Sequence, residues 1–364
     1  MINYTEIFER VIMPETFKSL DYANADIKAY EKFGGGMCSA VAKYTGGKML
    51  VGRNMDLYIC HKPAYLVRTA VEGYYKTVGL SFFHRSGPDY EDLKKSGIDD
   101  EFAKVLPFFC TDVLNEKGLY METNMRLGER LDNGQRRYTC TGTNPDSDKR
   151  VCSAILPRYV VERCADIDEA IEYVKTLNIY SPATEDMDWN FCFMLADASG
   201  RYGVMEIAQN EVSWLENQCC QTNFYLTDKF QKGEKYKLGL GRYEKLTSLI
   251  DDVKNEDDIL SLIDGVSCFQ VYHPDGCRFD YRAEYVGFPE SWTTEFVLDE
   301  KNRDTVYKKA KEVEEKINAL DRKGLMDKCL YWESTFTCLV NCTDKTMRVR
   351  FFEDEEKVMR FEVE

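Results

Sequence analysis

The chain has 364 residues, of which 44% are hydrophobic and 30% are charged, a composition typical of a globular protein with a sizeable core. The formal net charge of −15 and the lack of a basic block exclude nucleic acid and anionic membrane surfaces as favoured partners. No apolar stretch approaches the roughly 18 residues that span a bilayer, and charged residues interrupt every candidate signal-peptide core, so the sequence predicts a cytoplasmic protein.

Fourteen cysteines are scattered along the chain without the paired spacing of a disulfide framework. Because no secretion signal is present, we expect free thiols that are mostly buried. The only close pairs are Cys219 with Cys220 and Cys338 with Cys342. The three histidines form no ligand motif, so the sequence supports neither a metal site nor any other cofactor.

The first 37 residues precede the most distinctive stretch of the chain. Within them Phe17, Leu20, Ile27 and Tyr30 recur at roughly helical spacing, which predicts an amphipathic helix. Three interpretations stay open for this segment. It is an ordinary N-terminal helix, a pro-segment that is cut away, or sequence upstream of a true translation start at Met37.

A predicted hairpin then organises the rest of the chain. A glycine triplet leads into Cys38, a first apolar run ends at Gly46 and Gly47, and a second apolar run ends in the letters GRNMD. Two glycines between strand-like runs predict a hairpin with a two-residue turn. In such a hairpin the thiol of Cys38 returns beside the guanidinium of Arg53 and the carboxylate of Asp56.

The remaining elements alternate between strands and helices, and no repeat or linker interrupts them. Up to residue 124 the sequence predicts strands as far as about Ser81, a surface segment at 90–104, and a turn at 115–119 with a strand that ends near Asn124. Helices follow at 155–164 and 166–177, and two strands lie within 190–208. The rest of the chain holds predicted helices at 241–253, 257–263 and 302–320, then strands at 331–340 and 347–352 and a polar tail. On its own, this order establishes a mixed α and β protein.

The letters CSAV at Cys38, followed by GRNMD, resemble the choloylglycine hydrolase and penicillin V acylase family. The predicted hairpin at residues 193–207 adds to the resemblance. Members are N-terminal-nucleophile (Ntn) amidohydrolases whose mature chain begins at the cysteine. The resemblance therefore implies an α+β fold, the four-layer αββα sandwich of Ntn hydrolases. It also implies a single domain at residues 38–364, with residues 1–37 as a pro-segment.

The resemblance further implies a set of catalytic residues, all in family order: Cys38, Arg53, Asp56, Asn124, Asn223 and Arg242. Cys38 is the nucleophile, and its own α-amino group is the base, which suits a chain so poor in histidine. Arg53 favours the thiolate and helps to position the substrate, while Asp56 accepts a hydrogen bond from the amine.

Two asparagines and an arginine complete the implied site. Asn223 is the best candidate for the oxyanion donor. Asn124 is the second, although it falls one residue closer to Gly118 and Leu119 than in typical bile salt hydrolases. Arg242 completes the charge network around the nucleophile.

The implied function is hydrolysis of a linear N-acyl amide, with conjugated bile salts, penicillin V or N-acyl amino acids as candidate substrates. The partner is then a small molecule, and a homodimer or homotetramer is compatible with the resemblance. A papain-like thiol hydrolase with Cys38 and His273 is an alternative, but Cys38 does not begin a helix and no oxyanion glutamine precedes it. A non-catalytic binding protein that keeps residues 1–37 is the other alternative.

Overall fold

A computed structural model of the protein describes residues 37–59, 64–82, 106–127, 140–181, 189–232, 237, 239–267, 269–272, 278–280, 330–351 and 358–363. The predictions for residues 1–36, 90–104 and 302–320 lie outside these residues.

Two large antiparallel sheets dominate the described part of the chain. In chain order the strands are β1 (Met37–Thr45), β2 (Lys48–Ile59), β3 (Ala64–Thr69), β4 (Thr77–Phe82), β5 (Asp112–Asn115), β6 (Tyr120–Leu127), β7 (Arg150–Cys152), β8 (Asn178–Tyr180), β9 (Trp189–Ala196), β10 (Tyr202–Ala208), β11 (Glu211–Glu216), β12 (Cys220–Gln221), β13 (Phe269–Tyr272), β14 (Arg278–Asp280), β15 (Leu330–Asn341), β16 (Thr346–Phe351) and β17 (Val358–Glu362). The α-helices are α1 (Leu156–Val161), α2 (Ile167–Lys175), α3 (Asp228–Gln231), α4 (Leu240–Leu249) and α5 (Glu256–Asp264).

The first sheet has the strand order β12-β1-β2-β15-β13-β14, with β16 paired to β15 and β17 paired to β16. The second sheet has the order β11-β10-β9-β6-β5-β4-β3, and β7 and β8 form a separate short parallel pair. The two large sheets face each other, and β1 of the first contacts β6 and β10 of the second.

Helices cover the outer faces of both sheets. On the first sheet, Val41 and Leu50 pack against apolar side chains of α4 and α5. On the second sheet, α1 packs against β5 and β6. The side-chain amide of Asn115, at the end of β5, donates hydrogen bonds to the carbonyl oxygens of Val161 (2.7 Å) and Cys164 (2.8 Å). The order helix, sheet, sheet, helix is the αββα sandwich, so the predicted fold class is confirmed.

Strands β1 and β2 form the predicted hairpin. Gly46 (φ 58°) and Gly47 (φ 78°) both adopt the left-handed conformation that a type I′ turn requires. The resulting register places Cys38 opposite Met55. Because residues two apart share a face of a strand, Arg53 lies on the same face as Met55 and Cys38. That face points to the second sheet, into the interior of the sandwich.

A further glycine of the GRNMD segment is explained by close packing. A Cβ atom on Gly52 would lie 2.5 Å from Cγ2 of Ile259 in α5, a distance that real Cβ contacts do not reach. Helix α5 is fixed at its start, where the side chain of Asn255 accepts hydrogen bonds from the backbone nitrogens of Asp257 (2.9 Å) and Asp258 (3.0 Å). The helix therefore lies directly on the strand that carries Arg53.

The end of the chain differs from the prediction. The sequence predicts a polar tail, whereas Val358–Glu362 forms β17, which pairs antiparallel with β16. Half-buried Met359 and Phe361 alternate with exposed residues along this strand. Met359, Phe361 and Val363 alternate with Arg360 and Glu362, which is the period of a strand, so the prediction of a polar tail was wrong because it weighed only the charge of this segment.

The thiols follow the prediction. All ten cysteines in the described residues are free, and nine of them are buried, with Cys219 half-buried. Of the helices in the described part of the chain, none combines the length and apolar character needed to cross a membrane.

Candidate active site

Cys38 lies at the start of β1 and is 2% exposed. Its Sγ atom lies 3.6 Å from Sδ of Met55, and Nη2 of Arg53 lies 3.6 Å from the same sulfur. The carboxylate of Asp56 is fully buried nearby and raises the pKa of the thiol by its charge. The hairpin therefore brings the thiol, the guanidinium and the carboxylate together, as its spacing predicts.

The backbone of Cys38 is held on both sides by residues far away in the chain. Its nitrogen donates a hydrogen bond to Oδ1 of Asn223 (2.9 Å). Nη1 of Arg242 donates to its carbonyl oxygen (2.6 Å) and to Oγ of Ser39 (2.6 Å). Nη2 of Arg242 donates to the same Oδ1 of Asn223 (2.8 Å). Asn223 and Arg242 thus form one buried network around the peptide group of Cys38.

The other end of the Asn223 side chain reaches the second sheet. Its Nδ2 donates a hydrogen bond to the backbone carbonyl oxygen of Met125 in β6 (2.8 Å). A primary amide nitrogen carries two hydrogens, so one of them is engaged by this bond. Asn223 consequently links β6 to Cys38 and fixes the distance between the two sheets at the site.

Arg53 crosses between the sheets and is fully buried. Its Nε lies 2.9 Å from Oε2 of Glu122 and 3.1 Å from Oδ1 of Asp112, while Nη2 donates to the carbonyl oxygen of Thr123 (2.6 Å). The third nitrogen, Nη1, is buried and has no hydrogen-bond partner among the described residues. Arg53 is therefore paired with two carboxylates and has one nitrogen without a described hydrogen-bond partner.

Asp112 and Glu122 are the residues of this cluster that the sequence does not single out. They lie directly opposite each other on β5 and β6, where two like charges destabilise a strand pair unless a cation lies between them. Burial raises the pKa of both carboxyls, that of Glu122 to about 7, although the charge of Arg53 counteracts the effect. Asp112 begins β5 and Glu122 lies among other polar residues of β6, so no local sequence pattern marks either of them.

The thiol of Cys38 is protonated at neutral pH in this environment. Burial raises its pKa to about 11, because the thiolate loses contact with water. Arg53 lowers the pKa, as expected, but the charges of Asp56 and Glu122 raise it further. Burial outweighs the guanidinium, so the thiol needs a base before it can act as a nucleophile.

Comparison with known proteins identifies the family of the chain. The family model for acyl-coenzyme A:6-aminopenicillanic acid acyl-transferase matches residues 44–271, more than half of the 364. The chain belongs to this family. The predicted resemblance to choloylglycine hydrolases and penicillin V acylases is thereby confirmed. The match begins after Cys38 and includes the other candidate residues: Arg53, Asp56, Asn124, Asn223 and Arg242.

No curated protein matches the chain at a significant level. Among solved structures, two variants of the conjugated bile acid hydrolase from Clostridium perfringens each show 14% identity and a TM-score of 0.46, over 89% of this chain and 92% of theirs. Penicillin V acylase from Agrobacterium tumefaciens shows 12% identity and a TM-score of 0.49, over 89% of this chain and 86% of its own. The assignment to the acyl-transferase family accordingly rests on the family model.

In this member of the acyl-transferase family, the side chain of Asn124 is hydrogen-bonded to one of the two buried carboxylates. Its Nδ2 donates to Oε1 of Glu122 (3.1 Å), and its Oδ1 is buried without a hydrogen-bond partner among the described residues. The next residue, Met125, is the one whose carbonyl oxygen contacts Asn223. Asn124, whose position in the sequence is shifted by one residue, thus donates a side-chain hydrogen bond to a glutamate.

The described residues contain no group of three histidine, cysteine, aspartate or glutamate side chains that could hold a metal ion. The site instead offers a thiol, two guanidinium groups, buried carboxylates and side-chain amides. These groups can supply nucleophilic attack and stabilise a developing negative charge.

Proposed function

We propose that the protein is an amidohydrolase that cleaves a linear N-acyl amide bond, with Cys38 as an N-terminal nucleophile. The observation that carries this proposal is the buried network around the Cys38 peptide group, in which Asn223 binds its nitrogen and Arg242 binds its carbonyl oxygen. Burying a guanidinium and an amide between packed layers costs free energy unless their polar atoms are hydrogen-bonded. Membership of the acyl-transferase family adds support.

The base is the α-amino group that Cys38 gains when the bond to Met37 is cut. The thiol, with its pKa raised to about 11, requires a proton acceptor. Arginine cannot accept a proton, whereas a free α-amine has an ordinary pKa of about 7.7–8.0 and is partly unprotonated near neutrality. As an amine, the nitrogen still donates to Asn223 and gains a lone pair for the thiol proton.

Hydrolysis then proceeds in two stages. The Cys38 sulfur attacks the amide carbon, the α-amine takes the thiol proton, and the proton passes to the leaving amine as the C–N bond breaks. Water hydrolyses the thioester in the second stage. The remaining hydrogen on Nδ2 of Asn223 and the amide of Asn124 stabilise the oxyanion in both stages. Nη1 of Arg53 is the donor available to position the substrate.

This mechanism implies that residues 1–37 are removed and that residues 38–364 form the single active domain. Asp56 accepts a hydrogen bond from the α-amine. The substrate is a small N-acyl amide, and the candidates are conjugated bile salts, penicillin V and N-acyl amino acids. We further propose a cytoplasmic enzyme that needs no cofactor and that forms a dimer or tetramer.

An unprocessed binding protein is the alternative that one observation favours. In the uncut chain the Cys38 nitrogen is an amide, and its hydrogen bond to Asn223 already satisfies it. A site in this state binds an amide but has no base for the thiol. For the papain-like alternative, His273 lies outside the described residues, so no contact favours it.

Release of amine from a panel of N-acyl amides tests the proposal. The panel contains glycine- and taurine-conjugated bile salts, penicillin V and N-acyl amino acids. Wild type and Cys342→Ala should both hydrolyse at least one of them, because Cys342 is a buried thiol that is not among the candidate site residues around Cys38. Cys38→Ala should hydrolyse none. A well-folded Cys38→Ala protein with undiminished turnover would overturn the nucleophile, and an inactive wild type that starts at Met1 would favour the binding protein.

A further inference from the structure

A second set of thiols lies outside the Cys38 cluster. The Sγ atoms of Cys219 and Cys220 are 3.7 Å apart. Cys220 is buried in β12, where it pairs with Val41 of β1, and the carbonyl oxygen of Cys219 accepts a hydrogen bond from the backbone nitrogen of Ala42 (2.8 Å). Cys219 is half-buried and is the one cysteine of the described residues that is not fully buried.

The two thiols differ in their tendency to ionise. A hydrogen bond from Cys220 lowers the pKa of Cys219 to about 7, which outweighs the effect of partial burial. The same interaction raises the pKa of Cys220. Lys43 and Asp251 face Cys219 with opposite charges and bind each other across 3.0 Å. Burial, and then the charge of Cys219, raises the pKa of the neighbouring Tyr202. Near neutral pH, Cys219 is therefore ionised in a large fraction of the molecules, and it is partly exposed beside the protonated thiol of Cys220.

We propose that Cys219 and Cys220 are a reversible oxidation site that low-molecular-weight disulfides convert into a vicinal disulfide. The Cys219 thiolate attacks one sulfur of the disulfide, forms a mixed disulfide and releases one small thiolate. The Cys220 sulfur then attacks Sγ of Cys219 and releases the second small thiol, while its own proton leaves to solvent or to that thiol. The protein loses two electrons and two hydrogens, and the disulfide gains them.

The backbone makes this oxidation reversible. Adjacent Cα atoms lie about 3.8 Å apart across a trans peptide, below the roughly 4.4 Å at which ordinary disulfides begin. The ring that forms is therefore strained and easily reduced. Asn223 follows Cys220 by three positions, so the strained ring would form in the segment that leads from β12 to the hydrogen-bond network around Cys38.

Peptide mass spectrometry tests the proposal directly. The folded protein is incubated with oxidised glutathione, quenched with acid, unfolded in urea at neutral pH in the presence of N-ethylmaleimide, and digested with trypsin without reductant. The tryptic peptide 202–229 contains only Cys219 and Cys220, and the peptide 176–201 contains only buried Cys192. In wild type, peptide 202–229 should lose two hydrogens and carry no maleimide, while peptide 176–201 should carry one maleimide. Dithiothreitol added before the maleimide should restore two maleimides to peptide 202–229.

Two variants assign the steps. In Cys220→Ser the peptide should retain one glutathione on Cys219, because the second attack is lost. In Cys219→Ser it should carry a maleimide on Cys220 and no glutathione. Two maleimides on the wild-type peptide after oxidation would overturn the site, and a retained glutathione in wild type would overturn the second attack. The readout does not depend on amide hydrolysis, so an inactive Cys38 leaves it unaffected.

Discussion

The side-chain oxygen of Asn223 accepts a hydrogen bond from the backbone nitrogen of Cys38 across 2.9 Å, although 185 positions separate the two residues in the chain. This nitrogen is the atom that becomes the proposed base. Asn223 reaches this nitrogen because β12 pairs with β1, which places the residues that follow β12 beside Cys38. In the proposed enzyme this contact, together with the hydrogen bond to Asp56, sets the direction in which the amine presents its lone pair.

The first prediction concerns the two roles of Asn223. In Asn223→Ala, kcat should fall by roughly 10²–10³, because one oxyanion donor is lost, while KM should change much less. Asn223→Asp is the matched control, since it keeps the oxygen that holds the Cys38 nitrogen and removes the Nδ2 donor. Its kcat should also stay low. A rise in KM alone would make Asn223 a residue that only positions the substrate.

The second prediction is that Arg242 cannot be replaced by lysine. One guanidinium donates hydrogen bonds to Cys38, Ser39 and Asn223 from two nitrogens, and a single ammonium cannot reach all three. Losing one or two such bonds should lower kcat/KM by about 10–100-fold in Arg242→Lys. Steady-state kinetics measures this effect. Millimolar guanidinium ion should partly restore Arg242→Ala, and a Lys variant as active as wild type would contradict the role.

The hairpin could be predicted from sequence because its determinants are local. Two glycines define the turn, and the turn defines the register that sets Cys38 beside Arg53. Asn223 and Arg242 followed from the family resemblance, since no local pattern connects them to Cys38. The residues that bind the backbone of Cys38 could therefore be predicted only from family motifs.

The partners of Arg53 could not be predicted in the same way. Asp112 and Glu122 meet Arg53 only because the two sheets pack face to face, and that contact depends on the whole sandwich. The hydrogen bond from the amide of Asn124 to Glu122 likewise has no local signal in the sequence. Contacts between sheets have no signature in a single sequence.

The third prediction uses the raised pKa of Glu122. Burial raises it from an ordinary value of 4.5 to about 7, so between these pH values the folded protein holds a proton that the unfolded chain has lost. The free energy of unfolding should therefore fall as the pH rises through this window, by at most about 1.4 kcal/mol per pH unit from this group. Urea denaturation of wild type and Glu122→Gln across the window measures the difference.

In Glu122→Gln the free energy of unfolding should depend less on pH, because the titrating carboxyl is gone. Glu244→Gln, at an exposed position of α4, is the control and should follow wild type. Equal slopes for Glu122→Gln and wild type would show that Glu122 keeps an ordinary pKa in the folded protein.

The last prediction is that active protein lacks residues 1–37. While Met37 is joined to Cys38 the nitrogen is an amide, which cannot accept a proton, and the buried thiol has its pKa raised to about 11. The network that holds the Cys38 nitrogen and carbonyl oxygen already exists in the uncut chain. We propose that the Cys38 sulfur attacks the carbonyl carbon of Met37 in its own precursor, that the thiol proton passes to the Cys38 nitrogen as the C–N bond breaks, and that water then hydrolyses the thioester and releases residues 1–37. Intact mass should show the wild type without the segment and Cys38→Ala with it.

Two controls separate self-cleavage from trimming by another protease. Cys342→Ala keeps Cys38 and should lose the segment like wild type, whereas a contaminating protease would also cut Cys38→Ala. Asn223→Ala should cleave itself more slowly, because the same amide holds the nitrogen of the scissile bond. A wild-type protein that is fully active at full-length mass would contradict the amine as the base, since its Cys38 nitrogen would still be an amide.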